Sequence, residues 1–420
     1  MPAEVLRNVR VLDPLHDGDR QADVLIESNR IGAIAPNLPD IPSDAIVQDC
    51  DGMILGPGLV DLYSQSGEPG HESRETLQSL MLAGSAGGFT ALSLLPGTDP
   101  VVDTPAGVSW VRAHTPLTTP HLGIWGALTL GIEGQTMGEL ADLAAASVIG
   151  FTDGQPLQNR GLLRRILEYA QPLQRPIALW CCDRTLQGDG VMREGIDSIR
   201  FGLPGVPAIA ETTALAMVLE CVAAIETPIH LMRISTARSV ALIAQAKAQG
   251  LPITASTTWM HLLLTTSALQ GYDPNLRLDP PLGTSADQLA LLQAVESGVI
   301  DAIAIDHTPH TYEEKTVAFA EAPPGVIGLE LALPLLWDAL VTSGKWSALT
   351  LWRALSTRPT QCLQRSPVAL VAGELADMTL FDPRKTWQVT PQTLHSHSHN
   401  TPWLGKNIRG QVCRTWSPTN

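Results

Sequence analysis

What this chain has little of limits its function before any motif is read. Basic residues are scarce: 27 Lys and Arg stand against 42 Asp and Glu, a net charge of −15 with a pI near 5.1. That balance argues against nucleic acid and anionic membrane surfaces as partners. No apolar run approaches the roughly 20 residues that cross a bilayer. The start, Met-Pro-Ala-Glu-Val-Leu-Arg, lacks the basic and apolar regions of a secretory signal. Six cysteines, Cys50, Cys181, Cys182, Cys221, Cys362 and Cys413, follow no zinc-ligand or disulfide-framework spacing. Reduced core thiols and a soluble, cytoplasmic protein are the expectation. Low-complexity linkers and short-period repeats are missing too, which excludes a solenoid.

What is present is a large core. With 44% hydrophobic and 16% charged residues, the 420-residue chain is globular, and a big barrel with a small accessory domain would use its whole length. Apolar strand candidates end near Tyr63, Leu95, Leu130, Asp153, Cys182, Ile234, Thr258 and Asp306. Helical stretches alternate with them at 75–84, 138–146, 161–169, 211–226, 236–250 and 285–298. The stripe Leu215, Val218, Leu219, Val222 has the spacing of one buried helix face. Eight buried strands alternating with helices predict an α/β fold, a (β/α)8 TIM-like barrel over 57–366.

The two ends have another texture. Residues 1–56 and 367–420 hold short alternating segments such as Ala22–Ile26, Arg30–Ile34, Ala376–Phe381 and Asn407–Val412, broken by Asp, Gly and Pro. They predict a small β-sandwich domain assembled from both chain ends.

Barrel sites gather at the C-terminal ends of the strands. The first strand leads into Gly58-Leu-Val-Asp-Leu-Tyr63-Ser-Gln65-Ser-Gly67-Glu-Pro-Gly70. Tyr63 and Gln65 share one face, where a His-x-His pair would grip a metal far better than a phenol and a carboxamide do. Strand four ends in Thr152-Asp153-Gly154, strand five in Trp180-Cys181-Cys182-Asp183, strand six in Met232-Arg233, and strand eight in Asp306-His307-Thr-Pro-His310.

These residues resemble the dihydroorotase family of amidohydrolases. So do Ala83-Gly84…Gly87-Gly-Phe-Thr90, Gly202-Leu-Pro-Gly-Val-Pro-Ala-Ile-Ala-Glu211, Ile234-Ser-Thr236, Pro280-Pro-Leu282, Gly325-Val-Ile-Gly-Leu-Glu-Leu-Ala-Leu-Pro334 and Ser396-His-Ser-His-Asn400, in family order along the whole chain. In active members of that family, the resemblance implies, zinc is held by a His-x-His pair, an Asp after strand four, His after strands five and six, and an Asp after strand eight. Carried over by position, the pair falls on Tyr63 and Gln65, the two other histidines on Trp180 and Arg233, and the carboxylates on Asp153 and Asp306. The loop at Asp153 is one residue short. Asp306 keeps the family's acid–base position. The substrate-contacting position His310 is retained, and Gly67 and Gly97 stand where the family has Arg and Asn. His307 and Gly325 are further pocket candidates.

The resemblance therefore implies pyrimidine biosynthesis, while the residues imply no metal cofactor. Two hard carboxylates without imidazoles suit zinc poorly, and a guanidinium repels a cation. Asp306 and Asp153 then lack a counter-charge, so Arg233 is expected to pair with one of them. The favoured expectation is a noncatalytic structural partner, with aspartate transcarbamoylase as the candidate implied by inactive family members, and a homo-oligomer. The alternatives are an active cyclic amidohydrolase with a rebuilt site, interconverting N-carbamoyl-L-aspartate and L-dihydroorotate, and a metabolite-binding sensor. His230 and His261 read as satisfied core residues. His71, Glu72, His395, His397 and His399 read as surface-loop residues, and Gly84–Gly88 as tight strand–helix packing.

Overall fold

The computed structural model describes residues 3–39, 41–116 and 120–417. The first two residues of the N-terminal segment discussed above lie outside them.

Eight parallel strands form one sheet in sequence order: Leu59–Val60, Phe89–Leu94, His121–Gly126, Gly150–Phe151, Ile177–Trp180, Ile229–Met232, Ile253–Thr258 and Ala302–Ala304. The seam between the first and eighth strands is bridged by two hydrogen bonds. Ile305 N–H donates to Asp61 Oδ1 at 2.9 Å, and Gln65 N–H donates to the His307 carbonyl at 2.8 Å. The third strand stops at Gly126, four residues before the expected Leu130, because Leu130 opens a short 3-10 turn.

The helices lie close to their predicted places, at Leu77–Ala86, Leu140–Ala145, Arg160–Ala170, Ile209–Ile225, Ala237–Ala248 and Ser285–Ser297. Side-chain caps explain several starts: Thr76 with Ser79 and Thr284 with Asp287 form reciprocal capping boxes, and Thr236 accepts from Ser239 N–H. Leu215, Val218, Leu219 and Val222 are buried as the predicted stripe. Additional helices, Pro105–His114 and Ala348–Leu355 among them, go beyond the sequence expectation.

Most of the core lies between the sheet and its helices. A smaller cluster fills the barrel itself, with Val60, Leu62, Tyr63, Trp125, Trp180 and Met232 among its members. The second sheet has seven strands. Five come from the N-terminal end, beginning with Glu4–Asp13, and two, Met378–Gln388 and Asn407–Trp416, from the C-terminal end. It is one continuous sheet that forks at Glu4–Asp13, which pairs with Ile46–Asp49 at one end and Ile54–Pro57 at the other. Its own core includes Val9, Val24, Leu55 and Leu380.

All six cysteines are free. Cys50, Cys181 and Cys362 are buried, but Cys413 is exposed, since Asn407–Trp416 turns that residue outward. Among the described residues no helix is long and apolar enough to cross a membrane.

Candidate functional site

The C-terminal ends of the barrel strands surround a cavity of about 230 Å³. At its floor Arg233 grips Asp306 with two parallel hydrogen bonds, Nε to Oδ2 at 2.8 Å and Nη2 to Oδ1 at 2.6 Å. A third donor, Nη1, reaches the Gly154 carbonyl at 2.9 Å. The guanidinium is only 4% exposed, and this fork-to-fork geometry is the strong form of such a pair. Burial works against the charge of Arg233, but Asp306 outweighs it and holds the proton more tightly than usual. The predicted pairing thus falls on Asp306. Asp153 is served differently: it accepts from Thr129 N–H at 2.9 Å and Thr129 Oγ1 at 2.6 Å. Burial raises its proton affinity, and the two Thr129 bonds only partly oppose that.

Both partners of the ion pair sit in the left-handed backbone region, Arg233 at φ 55° and Asp306 at φ 52°. Such residues carry strain, which persists only where the surroundings fix it. Tyr63 supplies part of that fixing. Its hydroxyl accepts from Arg233 N–H at 3.1 Å and lies 2.9 Å from Ser256 Oγ. Full burial pushes this phenol well above its ordinary value, so it acts as a neutral hydrogen-bonding group. Trp180 is held between two guanidiniums, Arg233 at 4.5 Å and Arg184 at 4.6 Å from its ring centre. Arg184 in turn pairs with Asp279 at 2.6 Å.

The cavity wall includes Gln65, Trp180, Arg233, Asp306, His310 and Gly325. Five other sequence candidates are not part of it: Tyr63 and Asp153, placed above, and His307, Gly67 and Gly97. His307 is turned away: Nε2 lies 3.2 Å from Glu75 Oε2, and Nδ1 accepts from Gly328 N–H at 3.2 Å. Gly67 is packed against backbone, where a Cβ would stand 2.0 Å from the His71 carbonyl oxygen. Gly97 also lies off the wall, with Ile132 as its nearest side-chain neighbour. His310 is buried, its Nε2 donating to the Pro324 carbonyl at 3.0 Å, and burial lowers its pKa to about 4.

The remaining histidines have ordinary roles. His230 bonds Thr254 and Ser256 at 2.9 and 2.8 Å, and His261 bonds Thr258 at 2.7 Å. The segment His395–His399 turns its serines inward, with Ser396 bonded to Glu75 and Ser398 to the Arg74 carbonyl. His71 and Glu72 are exposed. Gly87 packs so closely that a Cβ would meet the Leu329 carbonyl at 2.1 Å.

Sequence reasoning missed the Arg184–Asp279 pair and the relay behind Ile234–Thr236. There Glu211 accepts from the N–H groups of Ser235 and Thr236, and buried Arg193 donates to Ser235 Oγ at 2.7 Å. The only signal for the first was the Asp183-Arg184 dipeptide directly after strand five. The second had none beyond Glu211 itself.

An eight-stranded parallel barrel with its polar groups at the C-terminal strand ends, joined to a β-rich unit, defines an amidohydrolase-type fold. The L-hydantoinase (dihydropyrimidinase) from Arthrobacter aurescens superposes with a TM-score of 0.85, covering 100% of this chain and 97% of that one at 19% identity. The dihydropyrimidinase from Brevibacillus agri NCHU1002 gives 0.81. A family model described as "Dihydro-orotase-like" matches residues 52–239. A "Probable dihydroorotase-like protein" of Synechocystis sp. is 42% identical over 442 residues, covering 98% of this chain and 99% of its own. A "Dihydroorotase" of Syntrophus aciditrophicus is 37% identical, covering 98% and 97%. The chain belongs to the dihydroorotase family.

Proposed function

We propose that this protein is a dihydroorotase-family member that has exchanged its metal centre for an internal ion pair and acts as a noncatalytic structural partner. The observation that carries this reading is the bidentate Arg233–Asp306 pair. Zinc needs imidazole, thiolate or carboxylate donors converging on one point. At the positions where the family resemblance puts those donors stand a neutral phenol, a carboxamide, an indole and a guanidinium. No group of three or more His, Cys, Asp or Glu among the described residues is arranged to hold a metal ion. The donor set does not fit zinc, and Asp306, the family's proton-shuttling position, has both oxygens committed to Arg233. Cyclising carbamoyl aspartate needs a polarised carbonyl and an activated nucleophile, and neither is provided.

The protein's place is then in pyrimidine biosynthesis as a cytoplasmic assembly component. Aspartate transcarbamoylase is the partner we put forward, through the family resemblance, with the chain itself forming a homo-oligomer. Metal analysis of the purified protein, a carbamoyl aspartate cyclisation assay and co-purification with aspartate transcarbamoylase test this together. We expect no stoichiometric zinc, no turnover and a stable complex. Zinc with turnover would restore the enzymatic reading, and failure of the two proteins to co-elute would remove the partner.

A further inference from the structure

Every formal charge on the cavity wall is already matched by a neighbour. Arg233 is held by Asp306, and Arg184 by Asp279. His261 and His310, the two wall histidines, are kept neutral by burial, each lowered to about 4. Several polar groups are committed as well. Thr258 Oγ1 bonds His261 Nδ1, Thr308 Oγ1 donates to the Asp306 carbonyl at 3.1 Å, and the Gln155 carbonyl faces Arg184. Trp180, Trp259, Met260 and Leu278 make up much of the rest, and two buried wall atoms, Trp259 Nε1 and His310 Nδ1, have no hydrogen-bond partner among the described residues.

Gln65 is different. Its backbone N–H is used at the barrel seam, yet its half-buried carboxamide bonds to no other described residue while lining the cavity. A carboxamide offers one acceptor and one donor edge side by side.

We infer that this cavity binds an uncharged small molecule carrying adjacent N–H and C=O groups, a simple amide or imide, which pairs with the Gln65 side chain. A carboxylate entering the same space would have to displace Asp306 or Asp279 from its arginine or stay buried without a counter-ion. Both are costly. This inference rests on the metal-free reading above. It also reverses the charge preference that N-carbamoyl-L-aspartate would require.

Isothermal titration of the full-length protein with glutarimide and, separately, with N-carbamoyl-L-aspartate tests it. Glutarimide is expected to bind saturably, and the dicarboxylate is not. Gln65→Leu and Gln65→Glu, checked for an unchanged melting temperature, should each weaken glutarimide by about tenfold, the loss of about one hydrogen bond. The proposal is overturned if the wild-type protein binds the dicarboxylate as tightly as glutarimide, if glutarimide does not bind, or if folded Gln65 variants bind it unchanged. Zinc with turnover strikes the proposed function. A zinc-free, inactive protein that ignores glutarimide strikes this inference alone.

Discussion

The Tyr63 hydroxyl accepts the backbone N–H of Arg233 at 3.1 Å, so the end of the first barrel strand holds that of the sixth in its left-handed conformation. The four unusual residues at the barrel mouth are therefore a mutually supporting set. Tyr63 fixes the Arg233 backbone, Arg233 neutralises Asp306, and Trp180 packs against the guanidinium. Gln65 ties the first strand to the eighth through its backbone.

Removing the cation tests the central pair. Arg233→Met leaves Asp306 buried beside an apolar side chain and should destabilise the fold by about 3–5 kcal/mol. Adding Asp306→Asn should recover a large part of that loss, because no unpaired charge remains. Urea-unfolding midpoints of the wild type, both single variants and the double variant give the coupling directly.

Tyr63→Phe keeps the ring and deletes only the hydroxyl. Arg233 N–H and Ser256 Oγ then each lose a buried partner, a cost of about 1–3 kcal/mol. Thermal melting reads the loss, and Ser256→Ala should cost less in the Tyr63→Phe background than alone, the loss of its His230 bond being common to both.

Introducing imidazoles is the converse experiment. The quadruple variant Tyr63→His, Gln65→His, Trp180→His, Arg233→His removes the guanidinium and places nitrogen donors around Asp306. It should bind at least about one zinc ion per chain, against none expected for the unmodified protein. Inductively coupled plasma analysis after dialysis distinguishes the two.

Acid sensitivity follows from buried neutral histidines. Burial lowers His230 to about 3 and His261 to about 4, against an unfolded value near 6.5. Below about pH 6.5 the unfolded chain takes up protons that the folded one refuses. Stability from these groups is therefore complete above that pH and is lost as pH falls toward 4 and below. His230→Asn should flatten the stability–pH slope in this window by up to one proton, about 1.4 kcal/mol per pH unit.

The loop carrying the alternating histidines depends on a buried carboxylate. Glu75 receives Ser396 Oγ, His397 N–H at 2.9 Å and the His307 ring at 3.2 Å, and hydrogen bonds to that loop and to His307 hold its proton affinity below the usual range despite burial. Glu75→Leu should release residues 395–400, seen as faster amide exchange there, with exchange in the barrel strands unchanged.

Much of this was legible before the fold. Arg233 could be matched to one of two carboxylates, Asp306 or Asp153, because all three follow barrel strands, whose C-terminal ends converge, and opposite charges buried at one mouth attract each other; the choice of Asp306 needed the fold. The barrel came from alternation of apolar strands with helices, a pattern that backbone hydrogen bonding and core burial impose on local sequence. Gly67 and His307 were placed at the pocket by position alone. In the fold, Gly67 packs on the backbone at His71, and His307 turns to Glu75, choices made by neighbours that the local sequence does not announce.

By itself the sequence determined the alternation of elements, the acidic balance and the residue types at each strand end, since these are local properties. Only the tertiary structure decided which of them meet. Tyr63 bonds Ser256 across 193 positions, and Asp153 is satisfied by Thr129 while Arg233 bonds Asp306. The reason is physical: a barrel brings distant strand ends within hydrogen-bond range, where differences of a few ångströms decide which buried charge finds a partner and which must be satisfied by a hydroxyl.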